Sequence, residues 1–104
     1  MAYFSIATTP TMRFVLKTAV DWSLAMNVYA TITQNGVKIR KTGEDVALED
    51  ETHVSVYLSQ GETVRFKAGK VDVQLNWTYP DGNRACTRIV TIDVDDNLER
   101  VVLE

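Results

Sequence analysis

One cysteine and one histidine in 104 residues leave little from which to build a metal or thiol site. A tetrahedral zinc site needs four such ligands, and a nucleophilic thiol needs a base beside it. Cys86 stands in the β-like run Ala85-Cys86-Thr87, far in sequence from His53, so it is expected to be a small buried hydrophobe. A single cysteine makes no internal disulfide, which suits a reducing cytoplasm or a particle assembled there. No glycine-rich phosphate loop is present, because the five glycines are dispersed and Gly36 and Gly82 sit in turns. No apolar run approaches the ~20 residues that cross a bilayer. Met1 to Pro10 lacks the basic start and continuous apolar stretch of a secretion signal. No membrane partner is expected.

Positive charge is also sparse. Eleven basic against fourteen acidic residues give a net charge of -3, without the basic footprint that phosphate neutralisation requires. No nucleic-acid partner is expected. Arg13, Lys17, Lys38, Arg40 and Lys41 could gather on one face, but solvated strand faces that keep edges from pairing are the expected arrangement. Glu44, Asp45, Glu49, Asp50 and Glu51 form an acidic connection that brings no cleft with it, as paired catalytic carboxylates would need. Asp93, Asp95 and Asp96 resemble a calcium cluster only in being acidic. The glycine and distal glutamate of a calcium loop are missing, so a solvated strand end is expected. The reading is a non-enzymatic chain with no cofactor.

What is present is alternation. Val71, Val73, Leu75, Trp77 and Tyr79 fall on one face of a strand; Asp72, Gln74, Asn76 and Thr78 fall on the other. Pro80-Asp81-Gly82-Asn83 turns the chain into a second run, Arg84 to Val94. In that run Ile89 is out of phase with Val90 and Ile92, which calls for a bulge or burial on both faces. Similar alternation predicts strands over Thr11 to Thr18, Met26 to Gln34, Val37 to Lys41 and His53 to Leu58, with a short one at Val46 to Leu48. Asn35-Gly36 is a hairpin turn, since both residues tolerate positive φ. Ser59, with Glu62 three residues on, predicts a capped helical turn. Asp21 caps the short connection after the first of these strands. Leu98 to Leu103 reads as a helical tail or a last edge strand. No segment keeps a helical period.

Six or seven short strands with frequent turns predict an all-β chain, a sandwich or a barrel, and an antiparallel immunoglobulin-like β-sandwich of six to seven strands is the expectation adopted. Residues 1–10 form an N-terminal arm or edge strand and residues 11–104 a single sandwich domain. Trp77 and Tyr79 are expected in the core. Tyr29 and Tyr57 fall on the more polar faces of their strands, and Trp22 lies in a connection where it plugs one end of the core. These three are the candidate contact residues, for a protein partner or a sugar.

Several segments taken together carry a resemblance. They are Thr8-Thr9-Pro10-Thr11-Met12-Arg13-Phe14, the Asn35-Gly36 hairpin, and Val56-Tyr57-Leu58-Ser59-Gln60-Gly61-Glu62-Thr63-Val64-Arg65-Phe66, followed by Val71-Asp72-Val73-Gln74-Leu75 and Ile89-Val90-Thr91-Ile92-Asp93-Val94. In this order they resemble small hypothetical late-gene, virion-associated proteins of phages and prophages of Gram-positive gut bacteria. Gly61 departs from the pattern, where an acidic residue is usual. The resemblance implies a tail, baseplate or other virion component, assembled in the bacterial host cytoplasm. It implies contacts with other virion proteins or with copies of itself, and it carries over no functional residue. A carbohydrate-binding β-sandwich module is the alternative.

Overall fold

The computed structural model describes residues 3–5 and 7–97. They form nine strands: β1 (Tyr3–Ser5), β2 (Thr11–Val15), β3 (Met26–Gln34), β4 (Val37–Lys41), β5 (Val46–Leu48), β6 (His53–Tyr57), β7 (Gly69–Thr78), β8 (Arg84–Cys86) and β9 (Val90–Asp95). A single helical turn, α1 (Gln60–Thr63), and a 3-10 turn at Gly43–Asp45 complete the regular structure among the described residues. The chain is all-β, with more and shorter strands than the six or seven expected. The tail expectation at Leu98 to Leu103 lies outside the described residues.

The larger sheet runs β1-β9-β7-β3-β4, with β8 also on β7; the smaller runs β2-β6-β5. All pairings are antiparallel except β1 with β9, which is parallel. Both sheets feed one core. Met12, Phe14, Val46, Val54 and Val56 enter from the smaller, and Ala30, Ile32, Ile39, Val71, Val73, Leu75, Trp77, Ile92 and Val94 from the larger. Phe66, just beyond α1, is also buried and meets the Phe4 ring edge-on at 6.0 Å. Period-2 alternation fixes which side chain enters the core, so Asp72, Gln74 and Asn76 share the outer face of the larger sheet with Tyr29 and Thr31.

Turn chemistry follows the residues. Asn35 and Gly36 take φ of 37° and 89° between β3 and β4. At the second hairpin the Tyr79 N–H donates to the Asn83 carbonyl at 2.8 Å, and the Asp81 carboxylate accepts from the Asn83 backbone and side-chain amides. Ser59 and Glu62 form the reciprocal capping box: the Ser59 hydroxyl accepts the Glu62 N–H, and Glu62 Oε1 accepts the Ser59 N–H at 2.9 Å. Gly61 does not prevent it.

The phase conflict near Ile89 resolves by a register slip. Asn76 faces Cys86, yet Val73 faces Val90, where an unbroken ladder would place Ile89. One extra residue therefore separates β8 from β9, which returns Ile92 and Val94 to the core and leaves Ile89 63% exposed. The slip also corrects the expectation for Cys86, which is exposed rather than buried. Opposite Asn76 it stands on the outer face of the sheet. A second slip lies between Met26 and Tyr29 of β3, where Asn27 adopts a φ of 51°.

Candidate functional site

The three candidate aromatics do not converge. Tyr29 projects from the outer face of the larger sheet, Tyr57 from that of the smaller, where it is 41% exposed. Trp22 is engaged elsewhere. Its indole N–H donates to the Asp50 carbonyl at 2.8 Å, and its ring meets Trp77 edge-on with centroids 5.1 Å apart. Trp22 thus closes one end of the core, as expected, and Trp77 is buried, with its indole N–H donating to the Tyr79 hydroxyl at 3.0 Å.

Nor do the five basic residues gather. Arg13 pairs with Glu49 at 3.0 Å on the smaller sheet. Lys38 and Arg40 share the outer face of β4, whereas Lys41 turns inward opposite Ala30. Arg84, which the sequence did not single out, completes a different group. The Arg40 guanidinium lies 4.9 Å from the centroid of the Tyr29 ring and that of Arg84 6.0 Å from it. Two N–H groups of Arg84 donate to Asn76 Oδ1, at 3.1 and 2.9 Å, and Asn76 is itself buried. The missed signal was the β7–β8 hairpin: once Asn76 is placed opposite Cys86, Arg84 falls on the same face.

Lys41 is a buried cation on an edge strand. Its ammonium donates to Glu62 Oε1 and Oε2 at 2.6 and 2.8 Å and lies 3.1 Å from Asp45 Oδ2. Burial alone would lower its pKa, but the hydrogen bonds and charges of Glu62 and Asp45 outweigh that and raise it above the ordinary 10.5. Burial likewise pushes Glu62 up, and the Lys41 ammonium with the Ser59 N–H pulls it further down, below the ordinary 4.5. A carboxyl held low in the folded state contributes stability above its ordinary value and loses it as pH falls through the folded value. A lysine held high contributes below 10.5 and loses it as pH rises through its own folded value. Asp50, held to about 2 by the Thr52 N–H and by His53, acts in the same acid window but is fully exposed. Stability should therefore fall as the solution is acidified below about pH 4.5. Urea titrations across pH should show a shallower acid limb for Glu62→Gln; parallel limbs would refute the assignment.

Two sheet edges flank an open groove of about 520 Å³ lined by Phe14, Val15, Leu16, Trp77, Arg88 and Val90, among others. Among the described residues β2 is paired only to β6, and β1 covers β9 only at Asp93–Asp95. Val15 is 71% exposed at this edge and lines the groove together with the exposed Val90. His53 and Cys86 lie on strands of different sheets, and His53 is held by Asp50 at 2.8 Å. Asp93 pairs with Lys70 at 2.6 Å. Among the described residues no group of three or more His, Cys, Asp and Glu is placed to hold a metal ion. No helix among them is long and apolar enough to cross a membrane.

No protein-family model matches the chain, and no curated protein matches it. Among solved structures it is similar to a "putative glycoside hydrolase" from Bacteroides vulgatus, with a TM-score of 0.56 at 12% identity over 93% of this chain and 17% of that one. The chain thus spans about a sixth of that protein, and the likeness is one of fold. Murine CRIg is also matched, at a TM-score of 0.40 and 8% identity, over 91% of this chain and 90% of that one.

Proposed function

We propose that the chain is a non-enzymatic structural or accessory component of a phage virion, built as an immunoglobulin-like sandwich and working through protein–protein contacts. The strand order supports the sandwich: β2-β6-β5 stands against β9-β7-β3-β4, the order of the B-E-D and G-F-C-C′ strands in variable-type immunoglobulin domains. The virion context comes from the resemblance of the sequence segments. The observation that carries the contact reading is the apolar groove between the unpaired edge of β2 and the start of β9, which β1 leaves uncovered, with Val15 exposed beside it. An unpaired edge offers backbone donors and acceptors to a partner's strand. The partners are copies of this chain or other virion proteins.

A sugar-binding role finds less support, because the Arg40 guanidinium lies over the Tyr29 ring and Trp22 is packed against Trp77. Sedimentation should show concentration-dependent association, or a complex with a neighbouring virion protein, that Val15→Lys abolishes by placing a charge on the edge. A protein that stays monomeric over a wide concentration range and binds no virion protein would overturn the contact reading. A gene lying nowhere near capsid and tail genes would overturn the virion context.

A further inference from the structure

The outer face of the larger sheet is electrically divided. Lys38, Arg40 and Arg84 lie toward β4 and the β7–β8 hairpin, and Asp72, Asp93 and Asp95 lie toward β9. At the acidic end Asp93 is matched by Lys70, and Asp72 accepts from the Thr91 hydroxyl at 2.9 Å. At the basic end neither Arg40 nor Arg84 has a carboxylate partner among the described residues. Their positions are nevertheless fixed, Arg84 by two hydrogen bonds to buried Asn76 and Arg40 by the Tyr29 ring. A guanidinium presents five N–H donors in a planar fork that matches a carboxylate, and holding it in place beforehand removes part of the ordering cost of binding.

We propose that Arg40, Tyr29 and Arg84 form a docking site for the carboxylate side chains of an acidic segment on a partner protein. This deepens the contact reading and rests on it. The unmatched guanidiniums supply the charge complementarity, and the Tyr29 hydroxyl adds a hydrogen-bonding group beside them. The acidic half of the same face limits the site to a short segment. A nucleic acid carries a charge at every ~1.7 Å of duplex and would run from the basic strip onto Asp72 and Asp93. A peptide needs only two or three carboxylates on the strip, and the acidic half then sets which way it lies.

The test is titration of the full chain with a capped hexa-glutamate peptide at low salt. The peptide should bind, weaken as salt is raised, and lose about tenfold or more in affinity to the Arg40→Gln, Arg84→Gln double variant. Arg40→Lys should recover only part of the loss, since an ammonium keeps the charge without the fork. Arg13→Gln on the other sheet should bind as the unaltered chain does. Absence of binding, an affinity indifferent to the double variant, or tighter binding of single-stranded DNA of equal charge would each overturn the proposal. Val15→Lys separates it from the edge contact: peptide binding should survive a substitution that abolishes strand pairing. Absence of edge association in the unaltered chain, with peptide binding intact, would count against the edge reading alone.

Discussion

Replacing Glu62 with alanine is expected to destabilise the protein by about 3 kcal/mol, measured by urea denaturation at neutral pH. Two losses combine. The capping box goes, worth about 1 kcal/mol on its own. The Lys41 ammonium, with its side chain 7% exposed, also loses the closer of its two carboxylates. Breaking a buried pair from one side leaves a charge in low dielectric, which costs more than the pair contributes net. Ser59→Ala isolates the cap and should cost only about 1 kcal/mol. Lys41→Met should be milder than Glu62→Ala, because methionine suits the inward position and the stranded Glu62 retains access to water. If Glu62→Ala costs no more than Ser59→Ala, the ion pair contributes nothing.

Trp77→Ala should cost about 4 kcal/mol, in the range found for large aromatic side chains deleted from a core. The residue is 5% exposed and touches three things: the core beneath the larger sheet, the Trp22 ring and the Tyr79 hydroxyl. Removing it opens a void where the two sheets are held together at one end. It also strips Trp22 of its edge-on partner, although the hydrogen bond to Asp50 remains. Trp77→Phe should keep more than half of the stability, and it leaves Trp22 as the chain's single tryptophan. Its emission should then shift to the red in Trp77→Ala relative to Trp77→Phe, as water reaches the ring. Equal stability of the two variants would show that the end of the core collapses around the gap.

Alternation made much of the fold readable. The inward and outward sets of β2, β3, β6 and β7 follow from period 2 alone, as does the capping box from Ser59 and Glu62. What escaped was non-local. The fate of Cys86 depended on a register slip that only pairing with β7 reveals. Lys41 reads as one more solvated lysine until Glu62, far along the chain, is seen to receive it. Gln34 likewise clamps a distant turn, donating to the Lys67 carbonyl and accepting the Lys67 N–H. The basic strip needed Arg84 brought beside Tyr29 across two strands. Tyr29 was picked out for its polar face, but its neighbours, which decide its chemistry, come from β4 and β8.

The extra residue between β8 and β9 also governs how the chain tolerates changes in length. Removing one residue from Thr87 to Ile89 would leave an unbroken ladder, with Val90 still opposite Val73 and Ile92 still opposite Val71 and toward the core. A residue added at the tip of the Pro80–Asn83 turn can be taken up there, before either ladder begins. Loss of a residue should therefore be tolerated between Cys86 and Val90 as well as at the hairpin tip, because the partners of β9 on β7 stay the same.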